Sequence, residues 1–175
     1  ARPNNLPLQL TSFVGRADEI AQARQMLTDH RLVTLTGPGG SGKTRLAVKV
    51  ASEVLPQFDD GVYFVDLAPL SDHTQVPSAI TQALGMRERP GRELIDTLVD
   101  GLAAKGVLLV LDNFEHVLSA AWVAERLLGS AQGLRILATS RAPFASTANR
   151  SFRFRRSLCP KPVVPTTSNA WPDTR

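Results

Sequence analysis

Eight consecutive residues carry the clearest chemistry in this 175-residue sequence. Gly37, Pro38, Gly39, Gly40, Ser41, Gly42, Lys43 and Thr44 match the pattern GxxxxGK[ST]. Glycines let backbone N–H groups turn inward around phosphate oxygens where a Cβ would stand in the way. A helix opening at Lys43 aims its N-terminus at the same anion. The Lys43 ammonium can reach the β- and γ-phosphates of a nucleotide, and the Thr44 hydroxyl can coordinate Mg²⁺. Arg45, next in the chain, joins the residues expected to contact nucleotide. The bland alternative is a glycine-rich turn that binds nothing. It is opposed by context, because an apolar run precedes the loop and helical periodicity follows it.

Four further residues can act on a bound triphosphate. Asp112 closes an apolar run and can hold Mg²⁺ through water, or it can simply cap the helix that follows. Asn113 stands where many ATPases place a second acid. Glu115 could orient an attacking water, or it could be a first-turn glutamate complementing the helix dipole. Arg141 ends the Thr139-Ser140-Arg141 run and could sense the γ-phosphate, or it could be a surface arginine. On these grounds Lys43, Asp112, Glu115 and Arg141 are the catalytic candidates, and Thr44 and Asp112 the metal candidates. With no second acid at 113, slow hydrolysis or none is expected.

These residues need a scaffold, and the hydrophobic pattern supplies one. Ile20, Ala23 and Leu27 share a helical face across Asp18–Thr28. Leu32–Thr36 is a short apolar run ending in glycines, which predicts a buried strand. A helix from Lys43 to about Val54 aligns Leu46, Val50 and Val54. Gly61–Leu67 predicts a second strand. Helices are predicted over His73–Leu84, stopped by Gly85, and over Gly91–Ala104. Val107–Leu111 predicts a third strand, apolar on both faces as in the middle of a helix-covered parallel sheet. His116–Leu128 predicts a helix and Leu134–Thr139 a fourth strand. Alternating strands and helices imply an α/β, three-layer fold with a mainly parallel sheet.

Composition excludes several classes. One cysteine, Cys159, rules out an intrachain disulfide and a cysteine-based zinc site, and the three histidines have no metal-ligand spacing. No stretch approaches the roughly 20 apolar residues of a membrane span, so a soluble cytoplasmic protein with no membrane partner is expected. The net charge of +4 misleads. The chain has 20 basic and 16 acidic residues, but six basic and one acidic fall from Phe144 onward, leaving 14 against 15 before it. The globular part is therefore near neutral and is not expected to bind nucleic acid directly. A nucleic-acid reading rests wholly on the tail, where Phe152 and Phe154 alternate with Arg153, Arg155 and Arg156. No NKxD sequence points to guanine, and no arginine-rich lid follows the third strand as in a small-molecule kinase.

Five stretches in this order resemble the NB-ARC-like, AAA-like ATPase domain of bacterial STAND regulators, the signal-transduction ATPases with numerous domains: NNLPLQLTSFVGR, LVTLTGPGGSGKTRLA, GVYFVDLAPL, LLLVLDNFEHV and LRILATSRAP. The resemblance covers Asn4 to about Pro143. It implies an ATP/ADP switch with Mg²⁺, acting on helical, winged-helix and repeat domains, often with a DNA-binding domain in the parent regulator. It implies that Val14, Gly15 and Arg16 of FVGR lie beside the adenine, with Asn5, Leu6 and Pro7 in a lead-in that often helps there. Residue by residue, the alternative for this segment is a hydrophobic staple entering the first helix. It also implies that Arg141 is the sensor arginine.

The likeness stops at Pro143, which divides the chain into a nucleotide-binding domain (1–143) and an irregular basic tail (144–175). The family's sheet needs a fifth strand beside the loop strand, and in relatives the chain after TSR-x-P continues with a glycine-containing turn, then an FPVPPL-like stretch. This chain reads FASTANRSFRFRRSLCPKP instead. A slip of reading frame would account for the change. The first two bases of each codon, taken as the second and third of a frame one base earlier, let Phe152–Pro162 read F-P-V-P-P-L-A-V-P-E-A. Shifted proline codons of a GC-rich gene read as arginine, in keeping with 16 Arg against 4 Lys. On this reading the tail is disordered, the fifth strand is absent or replaced, and the loop strand becomes an unpaired sheet edge. Ser151–Arg155 alternates well enough to imitate an edge strand. The rival expectations are a truncated remnant that does not bind nucleotide productively, and the nucleic-acid binder above.

Overall fold

The computed structural model describes residues 2–9, 15–142 and 149–153, the last through backbone alone. Among the described residues five α-helices and five strands follow one another: α1 (Ala17–Asp29), β1 (Leu32–Thr36), α2 (Lys43–Val54), β2 (Val62–Asp66), α3 (Val76–Ala83), α4 (Leu94–Leu102), β3 (Leu108–Asp112), α5 (Ala121–Ser130), β4 (Arg135–Ser140) and β5 (Asn149–Arg153). The strands form one parallel sheet in the order β2-β3-β4-β1-β5. Each predicted strand and helix is found within a few residues of its expected place.

The alternation of apolar residues on β3 explains the three layers. Leu109 and Leu111 pack with α3, α4 and α5 on one face, while Leu108 and Val110 pack with α1 and α2 on the other. On α2, Leu46, Val50 and Val54 are fully buried, as their spacing predicts. Each such side chain contributes about 1.5–3 kcal/mol by leaving water. Arg31, just before β1, donates to the carbonyls of Leu128, Ala131 and Leu134, tying the C-terminus of α5 to the sheet.

Two local expectations change. The predicted His116–Leu128 helix begins as a 3₁₀ stretch over Phe114–Ala120, with a break at Val117, and becomes α-helical only at Ala121. Phe114 and Val117 are both buried, and their i,i+3 spacing suits the tighter 3₁₀ repeat. The predicted His73–Leu84 helix likewise opens with a 3₁₀ turn, His73–Gln75, held by a capping box between Asp72 and Gln75.

At the sheet edges the expected replacement of the fifth strand is found, while the expected unpaired loop strand is not. The loop strand β1 is not an edge. The backbone of Asn149–Arg153 pairs with it in parallel, with Leu32 opposite Asn149 and Thr36 opposite Arg153. The stretch 144–175 is therefore not irregular throughout, and the fifth-strand position is filled two residues earlier than the Ser151–Arg155 imitation strand. An unpaired strand edge offers a row of N–H and C=O groups, and an extended segment of the same chain takes them up. The rest of the tail lies outside the described residues. At the opposite edge the lead-in covers β2. Val62 N donates to Pro3 O at 3.1 Å, Asn4 bridges Val62, and the Asn5 amide accepts from Phe64 N at 2.6 Å and donates to Phe64 O at 2.9 Å. Gly61, at φ +102°, is required there, because a Cβ would collide with the Pro3 carbonyl. Asn5 and Leu6 thus serve the β2 edge and the core, with Asn5 on Phe64 and Leu6 packed beside α1 and α2.

Candidate functional site

The loop between β1 and α2 forms because its glycines accept conformations other residues resist. Gly40 (φ +72°) and Gly42 (φ +86°) turn the chain in the left-handed region, and Lys43 then opens α2. Gly37 N donates to Ser140 O at 3.3 Å, which ties the loop to the end of β4. The Lys43 ammonium is buried within the loop and donates to the carbonyls of Gly37 and Pro38, both at 2.9 Å. Burial pushes its pKa below the ordinary lysine value. Glu115 and Asp112 act against that shift, and Arg141 adds to it.

The second half of the site is built from strand ends. Asp112, the last residue of β3, is almost fully buried. Its carboxylate accepts from Thr44 Oγ1 at 2.9 and 3.0 Å and from Thr139 Oγ1 on β4 at 2.5 Å. Asn113 Nδ2 bridges Asp112 Oδ2 at 3.0 Å and Asp66 Oδ1, at the end of β2, at 3.2 Å. Burial raises the Asp112 pKa above the ordinary carboxylate value, with the Thr139 and Thr44 hydroxyls opposing and the charges of Asp66 and Glu115 adding. The alternative role of Asp112, as a helix cap, does not match this geometry, since its oxygens face Thr44, Thr139 and Asn113. Thr44 and Asp112 offer hard oxygen donors side by side, the set Mg²⁺ prefers, and a cation there would offset the cost of burying the Asp112 charge. Among the described residues no cluster of three or more His, Cys, Asp or Glu forms a self-contained metal site.

Glu115 and Arg141 meet across the mouth of the loop. Arg141 Nε lies 3.2 Å from Glu115 Oε1, and Arg141 N donates to Glu115 Oε2 at 3.3 Å. The guanidinium lies over Gly39, 3.7 Å from where a Cβ on that residue would stand. Gly39, Gly40, Gly42, Lys43, Thr44, Arg45, Asn113, Glu115 and Arg141 line one open cleft. From the other side, Arg16 NH1 donates to Ser41 O at 2.9 Å, and its guanidinium pairs with Glu19 at 3.6 Å. Gly15 (φ +86°) turns the chain into this position. Val14 lies outside the described residues. Ser41 itself is buried, and its Oγ finds no hydrogen-bond partner among the described residues.

The structure therefore brings together Arg16, the loop from Gly37 to Arg45, Asp112, Glu115 and Arg141. Sequence reasoning did not single out Asp66 or Thr139 as site residues. Both could have been flagged as polar residues at the same end of parallel strands, where such sheets place their ligands.

A family model described as AAA domain matches residues 25–144. The chain belongs to the AAA domain family. This AAA domain is 46% identical over 132 residues to an uncharacterized protein of Mycobacterium tuberculosis, covering 75% of the chain and 34% of the relative. It is 43% identical over 131 residues to another protein of the same organism, whose name places it provisionally among HTH-type transcriptional regulators, covering 74% of the chain and 15% of the relative. The AAA domain thus spans about a third or less of the length of these relatives. Among solved structures it resembles a STAND protein with a tetratricopeptide repeat sensor from Pyrococcus horikoshii, at 16% identity and a TM-score of 0.51, over 85% of this chain and 24% of that one. At that identity the likeness shows the fold, that of a P-loop ATPase. Among the described residues no helix is long and apolar enough to cross a membrane.

Proposed function

We propose that this AAA domain binds ATP and ADP with Mg²⁺, hydrolyses ATP slowly at most, and serves as the nucleotide-switch module of a larger cytoplasmic bacterial regulator with its own DNA-binding domain. The observation that carries this reading is the convergence of Lys43, Thr44 and Asp112 at the N-terminus of α2, joined by the 2.9 Å Thr44–Asp112 contact. Loop N–H groups and the start of α2 supply positive potential for phosphate oxygens. Lys43 is positioned to leave the Gly37 and Pro38 carbonyls for a β- or γ-phosphate oxygen. Thr44 and Asp112 would hold Mg²⁺, which when bound neutralises phosphate charge and fixes the oxygens. Arg16 buttresses the loop from behind through the Ser41 carbonyl. Slow turnover follows from Asn113, an amide that cannot accept a proton from water, at the place where many ATPases carry a second acid. The relative with an HTH-type regulator name supports the regulatory context.

The test is calorimetric titration of the full chain with ADP and a β,γ-imido ATP analogue in Mg²⁺, beside Lys43→Ala. The expected loss of affinity is roughly a hundredfold, about 2.7 kcal/mol. Equal binding by the two proteins would overturn the site assignment, and no binding by either would favour the remnant reading.

A further inference from the structure

Arg141 is placed to read a γ-phosphate, yet its guanidinium is already held by a carboxylate of the same cleft. Glu115 grips residue 141 twice, through the side-chain Nε and through the main-chain N–H. Its side chain is only 14% exposed, while that of Arg141 is 65% exposed. Glu115 is therefore the fixed member of the pair and Arg141 the mobile one. Glu115 and the loop lysine, Lys43, line the same cleft. Burial lowers the Lys43 ammonium, and of the charges acting against that shift Glu115 is the largest, ahead of Asp112. One carboxylate thus shares the cleft with the two cations, Lys43 and Arg141, that a terminal phosphoryl group would contact.

We propose that Glu115 discriminates between nucleoside di- and triphosphates, competing with the γ-phosphate for Arg141. The inference rests on the nucleotide-binding reading above and deepens it. A diphosphate has no group that reaches for Arg141, so the Glu115–Arg141 pair survives its binding. A triphosphate must draw the guanidinium away. Glu115 then stays behind, still held by Arg141 N, as an unneutralised carboxylate beside a phosphoryl group of the same sign. The exposed side of the pair keeps its own strength small, so the bias comes mainly from this like-charge contact in the cleft. The effect favours the diphosphate state and lets a small displacement of Arg141 report which nucleotide is present.

The experiment compares wild-type full chain with Glu115→Gln, which removes the charge and keeps the shape and the acceptor for Arg141 N. Titration uses ADP and the β,γ-imido ATP analogue, both with Mg²⁺. Glu115→Gln is expected to tighten the ATP analogue by roughly five- to tenfold and to leave ADP within about twofold. Arg141→Gln approaches the same competition from the other partner. It is expected to weaken the ATP analogue while sparing ADP, and it keeps the proposal testable if Glu115→Gln does not fold. Equal shifts for both nucleotides in either variant, or weaker ATP-analogue binding by Glu115→Gln, would overturn the inference. Wild type that binds neither nucleotide would instead sink the nucleotide-binding reading itself.

Discussion

The phosphate loop and the carboxylate end of β3 lie side by side but are made differently. The loop is one contiguous octapeptide whose shape comes from backbone freedom at Gly40 and Gly42 and from Lys43 bonding its own loop carbonyls. The Asp112 cluster draws on Thr44 from α2, Thr139 from β4, Asp66 from β2 and Asn113 beside it, residues spread along the chain from position 44 to position 139. The loop can form wherever its sequence follows a strand and opens a helix. The cluster exists only when four elements are docked, so it links metal affinity to the integrity of the sheet in a way the loop does not.

Breaking the cluster should therefore cost stability as well as binding. Thr139→Val keeps the volume but removes a hydroxyl that donates to Asp112 and accepts from Asn113 N at 3.0 Å. It leaves a buried carboxylate short of a donor and a backbone N–H short of an acceptor, and denaturant unfolding should show a loss of about 2–3 kcal/mol. Asn113 comes next. Among the described residues it is the one non-glycine with positive φ, at +62°, a conformation asparagine tolerates and alanine resists. Asn113→Ala should lose about 2 kcal/mol, and Asn113→Gly, which relieves the backbone strain, about half as much. Equal losses for the two would show that the side-chain bridge to Asp66 and Asp112 matters and the backbone does not.

The smallest effect has the opposite sign. The Asp112 carboxyl has a raised pKa in the fold, so the native state binds its proton more readily than the unfolded chain does. Stability from this group is then fully present at low pH and is lost as pH rises from the ordinary carboxylate range through the raised native value. Asp112→Asn cannot ionise. In Mg²⁺-free buffer it should match wild type at acid pH and exceed it in melting temperature at neutral pH. Added Mg²⁺ and nucleotide should stabilise wild type and leave the variant unmoved. A variant less stable than wild type at neutral pH would mean that burial of the charge is already offset by Thr44, Thr139 and Asn113.

The same contrast explains what could be read in the sequence. The loop was legible because its residues are adjacent and their spacing carries the chemistry. Four of the five strands were legible because Leu32–Thr36, Gly61–Leu67, Val107–Leu111 and Leu134–Thr139 are short apolar runs between helical periods. Asp112 was legible as the end of a run, but its partners were not, since pairing Asp66 with Asp112 requires β2 to lie beside β3 in register. The meeting of Glu115 and Arg141 was hidden for a similar reason. It depends on the 3₁₀ stretch after β3, where a regular α-helix was expected. The strand at Asn149–Arg153 was seen as an imitation displaced by two residues, because alternation alone does not fix register.

The lead-in on the β2 edge carries a mechanical consequence. Pro3, Asn4 and Asn5 grip β2 through main-chain and amide hydrogen bonds, three strands away from β1. A pull on anything joined before Arg2 meets the Arg2 contacts with Leu55 and Asp59 and then these few bonds, so together they act as a fuse: the outer seam would peel before tension travelled through β2, β3 and β4 to the loop strand.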